Sequence, residues 1–275
     1  MPSPLDVHQF LREFSLRPKK SLGQNWLVDE SALARIAAAA ELTPQDTVLE
    51  IGPGLGALTR YLAEGAGQVI AVELDGALIP PLRRVLADCS NVTVVQGDIL
   101  RFDLAALVGV PSYKVVANLP YYITSAAIRH LLEADMRPSL IVLTVQRQVA
   151  QRITAAPGKM SMLGVSVQFY GRPTIVAHLG ASAFYPPPQV DSAVVRIEPY
   201  GRPAVDVPDR DGFFAVVKAG FSQKRKQLHN ALAAGLARSQ VEIADALERA
   251  GIDGRRRAET LSLQEWASLV RALAL

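Results

Sequence analysis

Cysteine is almost missing: Cys89 is the only one in 275 residues. A lone thiol excludes an internal disulfide and any cysteine-rich zinc site, and it points to a reducing compartment. Histidine is nearly as scarce. His8, His130, His178 and His229 are scattered without ligand spacing, so no metal centre is expected. Long apolar runs are absent too; a stretch such as residues 140–145 is strand-length and too short to span a bilayer. The first twenty residues hold Asp6, Arg12, Glu13, Arg17, Lys19 and Lys20 and no apolar stretch of signal-peptide length, so a cytoplasmic protein off the membrane is expected. Neither charge dominates, with 29 Lys+Arg against 26 Asp+Glu and a net +3. No repeat or low-complexity tract interrupts the chain.

What is present is core-forming material. Hydrophobic residues make up 49% and charged residues 20%, which excludes wholesale disorder and suits one large domain or a large domain with an appendage. From about residue 30 to 150, short apolar runs alternate with helical patterns. Strands are expected at 47–51, 68–73, 92–96, 113–117 and 139–145, and helices at 31–41, 55–64, 76–87 and 125–133. That alternation implies βαβ units, a parallel sheet and a doubly wound α/β fold. Strands at 174–179 and 192–198 are expected to add an antiparallel edge. Residues 199–208, with Gly201, Pro203 and Pro208, read as a linker, and four helical patterns follow at 212–219, 226–236, 240–250 and 262–273. Ser239 and Ser262 suit N-caps. The expected division is 1–204 and a small all-helical domain at 205–275.

Two motifs carry chemistry. Glu50-Ile51-Gly52-Pro53-Gly54-Leu55-Gly56 runs from a strand into a helix, where glycines allow close backbone approach to a ligand. Glu73 ends the next strand, the place for a carboxylate that accepts from ribose hydroxyls. Together they bind a nucleoside-containing cofactor, and the spacing also satisfies a dinucleotide fingerprint. Asp98 follows the third strand and reads either as an acceptor for an adenine amine or as a helix N-cap before Ile99. The second motif is Asn118-Leu119-Pro120-Tyr121-Tyr122 at the end of strand four. The exocyclic amine of adenine is a poor nucleophile because its lone pair is delocalised into the ring. An Asn side-chain oxygen and a backbone carbonyl accepting from that amine favour its pyramidal, nucleophilic form. Pro120 restricts Leu119 and so fixes its carbonyl, and Tyr121 can stack on a flipped base.

These motifs, with Lys20-Ser21-Leu22-Gly23-Gln24-Asn25-Trp26-Leu27, Phe184-Tyr185-Pro186-Pro187-Pro188-Gln189-Val190-Asp191-Ser192 and Phe221-Ser222-Gln223-Lys224-Arg225-Lys226-Gln227-Leu228, make the chain similar to the small-subunit ribosomal RNA adenine dimethyltransferase family over nearly its whole length. The resemblance implies a Rossmann-like S-adenosylmethionine-dependent methyltransferase sheet with a helical C-terminal RNA-binding domain. It implies cofactor contacts from Asn25, Leu27, Gly52, Gly54, Glu73 (ribose), Leu74, Asp98 (adenine), Ile99 and Asn118. It gives Asn118, Leu119 and Pro120 to the target amine and its immediate surroundings, and sandwiches the base between Tyr121 and Phe184. Lys19, Lys20, Lys224, Arg225 and Lys226 are expected on RNA. The implied substrate is two adjacent adenosines in a hairpin loop near the 3′ end of small-subunit rRNA, in a pre-30S particle, with the enzyme a monomer needing no metal and no protein partner. Trp26 stands where the family usually has Phe, Lys159-Met160-Ser161-Met162-Leu163 lacks the usual Tyr-Gly, and the segment from Lys224 to Asn230 keeps the family's basic character but not every residue. The alternatives are a large-subunit methylase of the antibiotic-resistance type, an assembly factor acting mainly by binding RNA, and a dinucleotide-dependent oxidoreductase.

Overall fold

The structure, a computed structural model, describes every residue except Met1, Ser3 and Leu275. Its strands are β1 (Trp26–Leu27), β2 (Thr47–Ile51), β3 (Gln68–Glu73), β4 (Val92–Gln96), β5 (Lys114–Asn118), β6 (Leu140–Gln146), β7 (Gly171–Leu179), β8 (Phe184–Tyr185) and β9 (Ser192–Pro199). Its helices are α1 (Val7–Glu13), α2 (Glu30–Ala39), α3 (Ala57–Gly65), α4 (Ile79–Val85), α5 (Leu104–Val108), α6 (Thr124–Glu133), α7 (Arg147–Ile153), α8 (Met162–Tyr170), α9 (Arg210–Phe221), α10 (Leu228–Leu236), α11 (Gln240–Arg249) and α12 (Leu263–Ala272).

Strands β2, β3, β5 and β6 are rich in valine and isoleucine and almost wholly buried, as strands covered on both faces require. Half-exposed β4 lies at the edge. The seven-stranded sheet has the order β4-β3-β2-β5-β6-β9-β7. Strands β2 to β6 pair in parallel, and β9 returns antiparallel against β6. The order reverses between β2 and β5, and a doubly wound sheet opens its ligand crevice beyond the C-terminal ends of such a strand pair. Ile51 pairs with Val72 on one side and with Ala117 on the other, which brings the ends holding Gly52, Glu73 and Asn118 together.

By contacts the chain divides into residues 1–150 with 174–199, and residues 151–173 with 200–275. The second unit is therefore not the contiguous stretch from 205 onward. It includes α8, which the sequence reading missed because Met-Leu-Gly-Val-Ser-Val-Gln-Phe-Tyr is buried on nearly every side and shows no amphipathic period. Phe169 of α8 stacks on Phe213 of α9 at 4.8 Å between ring centroids. The expected linker at 199–208 is not free chain. Its Tyr200 and Ala204 N–H groups donate to the Tyr170 and Phe169 carbonyls at 2.7 and 2.9 Å, and Val205 is buried. Helices α11 and α12 begin at Ser239 and Ser262 with full capping boxes closed by Glu242 and Glu265.

Candidate functional site

A cavity of about 280 Å³ opens at the C-terminal ends of β2, β3 and β5. The turn leaving β2 holds Gly52 and Gly54 at φ +70° and +59°, a left-handed conformation open to glycine and strained for other residues. A Cβ at Gly54 would also lie 2.6 Å from the Trp26 ring, so the indole fits only because glycine is there. The Gly54 N–H donates to Glu73 Oε2 at 3.0 Å and the Asp75 N–H to Oε1 at 2.7 Å. Burial pushes the Glu73 carboxyl above its ordinary pKa, and these two N–H bonds oppose the rise. Each oxygen keeps a second lone pair for a hydroxyl donor.

Leu74, Asp98 and Ile99 line the same cavity, with Leu74 on its exposed rim. Both sequence readings of Asp98 meet at one side chain. Its Oδ1 accepts from the Leu100 N–H at 3.0 Å as an N-cap, while the residue also faces the cavity. Leu27 departs from expectation. Side chains alternate along β1, so Trp26 faces the main cavity while Leu27 lies in the core and lines a small adjoining space of about 30 Å³ with Gly52, Glu50 and Asn118.

Asn118 ends β5 at the cavity wall, and its Nδ2 donates to the Asn25 carbonyl at 3.2 Å. A carbonyl can only accept, so this contact fixes which end of the amide is which and leaves Oδ1 as the acceptor for an incoming amine. Leu119 and Pro120 follow in the cavity lining. The Pro120 carbonyl is taken by the Ile123 N–H at 3.1 Å, which starts the turn into α6. Tyr121 and Phe184 both line the cavity. The Tyr121 hydroxyl shares a 2.8 Å hydrogen bond with Ser192 Oγ, which fixes its ring; burial raises its pKa, with that bond opposing. Phe184 reaches the site because β8 pairs antiparallel with β1, Phe184 opposite Leu27. Sequence reasoning missed Gln24 and Ile123 as lining residues and gave no role to Tyr122, which is 57% exposed at the mouth. An aromatic directly after Tyr121 was the available signal.

The comparisons with known proteins bear on this arrangement. The family model described as "Ribosomal RNA adenine dimethylase" matches residues 15–275. The chain belongs to the ribosomal RNA adenine dimethylase family. Ribosomal RNA small subunit methyltransferase A of Moorella thermoacetica is 48% identical over 274 residues, covering 96% of this chain and 95% of that protein. The protein of the same name from Dehalococcoides mccartyi is 47% identical over 264 residues, covering 95% and 90%. Among solved structures, the 23S rRNA methyltransferase ErmE is 30% identical with a TM-score of 0.72, covering 91% of this chain and all of that one. A dimethyladenosine transferase from Plasmodium falciparum is 26% identical with a TM-score of 0.74, covering 88% and 94%.

The protein is thus an S-adenosylmethionine-dependent rRNA adenine dimethyltransferase, and the oxidoreductase alternative falls. The dimethylase site suits that cofactor by its donor set, with Glu73 for hydroxyls, Asp98 for an amine and a glycine turn for close approach. When bound, the cofactor supplies a methyl on a sulfonium, open to in-line displacement. The chain's own part is alignment, and holding two reactants in attack geometry can contribute about 7–11 kcal/mol. The dimethylase also carries a buried Glu50 beside Glu73. Burial raises its pKa to about 8; Glu73 adds to the rise and Thr59 opposes it. The relief is partial, since Glu50 Oε2 and Thr59 Oγ1 lack hydrogen-bond partners of good geometry among the described residues.

Of the cations expected on RNA, Lys20 is exposed at the start of a short 3-10 turn. Lys224, Arg225 and Lys226 are exposed in the turn between α9 and α10, since α10 begins only at Leu228. Lys19 is exposed as well, and its Nζ lies 2.7 Å from Asp75 Oδ1. No helix among the described residues is long and apolar enough to cross a membrane, and they hold no cluster of His, Cys, Asp and Glu able to bind a metal ion.

Proposed function

We propose that the protein dimethylates the exocyclic amines of two adjacent adenosines in a hairpin loop near the 3′ end of small-subunit rRNA. It does so as a cytoplasmic monomer on a partly assembled pre-30S particle. One observation supports the site assignment: Asn118 Nδ2 donates to the Asn25 carbonyl in a cavity that Tyr121 and Phe184 also line, which leaves Oδ1 to accept from the target amine and the two rings to sandwich the base. Glu73 and Leu74 hold the ribose end of the cofactor, Asp98 and Ile99 its adenine, and Asn25, Gly52 and Gly54 its methionine portion. Leu27 lines the small space adjoining the cavity with Gly52 and Asn118, and Leu119 offers its carbonyl to the same amine. Hairpin loops present unstacked bases, which lowers the energy of flipping.

Residues 1–150 with 174–199 act as the catalytic part and 151–173 with 200–275 as the RNA-binding part, through Lys224, Arg225 and Lys226, with Lys20 of the catalytic part adding to the RNA contact. The small subunit is favoured because relatives named for it share 47–48% identity with this chain, against 30% for the 23S enzyme. Labelled S-adenosylmethionine, immature small subunits and mass-spectrometric mapping test the proposal. Two dimethylated adjacent adenosines near the 3′ end are the expected result. Transfer to large-subunit RNA alone refutes the substrate, and cofactor binding without transfer to either RNA leaves a protein that mainly binds RNA.

A further inference from the structure

Asp75 has no part in the reading above, yet it is the best-connected side chain near the cofactor cavity. It is buried, two residues beyond Glu73. Its Oδ1 accepts from Lys19 Nζ at 2.7 Å and from the Ala77 N–H at 3.1 Å, and its Oδ2 accepts from Gln24 Nε2 at 2.8 Å. Its own N–H donates to Glu73 Oε1. Lys19 and Gln24 are also joined to each other, the Lys19 N–H donating to Gln24 Oε1 at 2.8 Å. Burial alone would raise the Asp75 pKa, but these donors outweigh it and hold the carboxyl below its ordinary value. The segment so fastened continues into Asn25, whose carbonyl holds the Asn118 amide, and into Trp26, which lies against Gly54.

We propose that Asp75 is a positioning residue: its bonds to Lys19 and Gln24 clasp the N-terminal segment over the cofactor cavity, so that cofactor retention and the orientation of Asn118 depend on one contact. This rests on the methyltransferase reading of the cavity. Lys19 and Gln24 are 56 and 51 residues from Asp75 in sequence, so the clasp joins two separate stretches of chain. When it is closed, Gln24 and Asn25 wall the cavity and Asn118 is held as an acceptor. When it is released, the wall and the amide lose their fixed positions together.

The test measures S-adenosylmethionine binding by calorimetry, with no RNA present, and transfer kinetics on immature small subunits. Asp75→Ala is expected to weaken cofactor binding at least about tenfold, as loss of charge-assisted hydrogen bonds implies. It should also lower kcat, while KM for the particle stays within about twofold, because a displaced Asn118 acceptor slows the reaction and leaves the RNA-binding surface intact. Lys19→Ala and Gln24→Ala should each give a smaller loss, and Lys19→Arg should restore binding. Both single losses should vanish in the Asp75→Ala background, where nothing remains to clasp. Should Asp75→Ala not fold, the cycle of Lys19→Ala with Gln24→Ala decides: coupled losses support the clasp, and independent ones overturn it. Wild-type affinity in Asp75→Ala, or full additivity of the variants, also overturns it. A wild-type protein that fails to bind S-adenosylmethionine overturns the cofactor reading first, and the clasp with it.

Discussion

Replacing Glu50 with glutamine in the cofactor-free protein should remove a pH dependence of stability. Glu50 ionises near 4.5 in the unfolded chain and at about 8 in the fold, because burial disfavours its charge. The folded state therefore binds the extra proton between those two values. Its stabilisation is complete below pH 4.5 and is lost as pH rises to 8, a change on the order of 5 kcal/mol. Gln keeps the shape of the protonated acid and cannot ionise. The two proteins should have similar urea midpoints at pH 5, and Glu50→Gln should become progressively more stable relative to wild type towards pH 8.5. Glu73 is also raised by burial and remains in both, so the difference between the profiles reports the loss of the Glu50 charge together with its coupling to Glu73. Parallel profiles for the two proteins would refute the reasoning. A variant whose deficit relative to wild type grew towards pH 8.5 would do the same, since it would mean that an ionised Glu50 has a buried partner.

Three further outcomes follow from the site. Asn118→Ala should lower kcat by roughly 10²–10³, the usual loss for one preorganised contact to a reacting group, with a much smaller change in cofactor affinity; equal losses in single-turnover rate and calorimetric affinity would contradict the acceptor role. Gly54→Ala forces a side chain into a left-handed backbone and against Trp26, so cofactor affinity should fall more than about tenfold while far-ultraviolet circular dichroism stays that of the wild type. Replacing Lys224, Arg225 and Lys226 together with alanine should flatten the slope of log affinity against log salt by about 2–3, one phosphate contact per cation; an unchanged slope would remove that turn from the RNA interface.

The parallel half of the fold was legible because each strand is a short, strongly β-branched run. β2, β3 and β4 fall at the expected residues. Glu73 and Asn118 were legible for a related reason: a polar residue ending an apolar strand lies at the sheet's C-terminal rim whatever the helices do. Local pattern could not report α8, buried on nearly every side, or the pairing of β1 with β8, only two residues long, which brings Phe184 to the cavity. Lys19 shows the same limit from the other side. A basic cluster near a chain start gives no sign that one of its lysines also pairs with a carboxylate 56 residues away.

The division into two units has a practical meaning for anyone who would exchange parts between members of this family. The chain passes between the two units at 150–151, at 173–174 and at 199–200. The helical unit is therefore no single cassette. A fragment starting at 200 would leave Phe213 and Phe214 without the Phe169 and Tyr170 rings they pack on. A chimera that exchanges the helical unit must carry 151–173 and 200–275 together, and recombination within the gene that separates them would break an aromatic core.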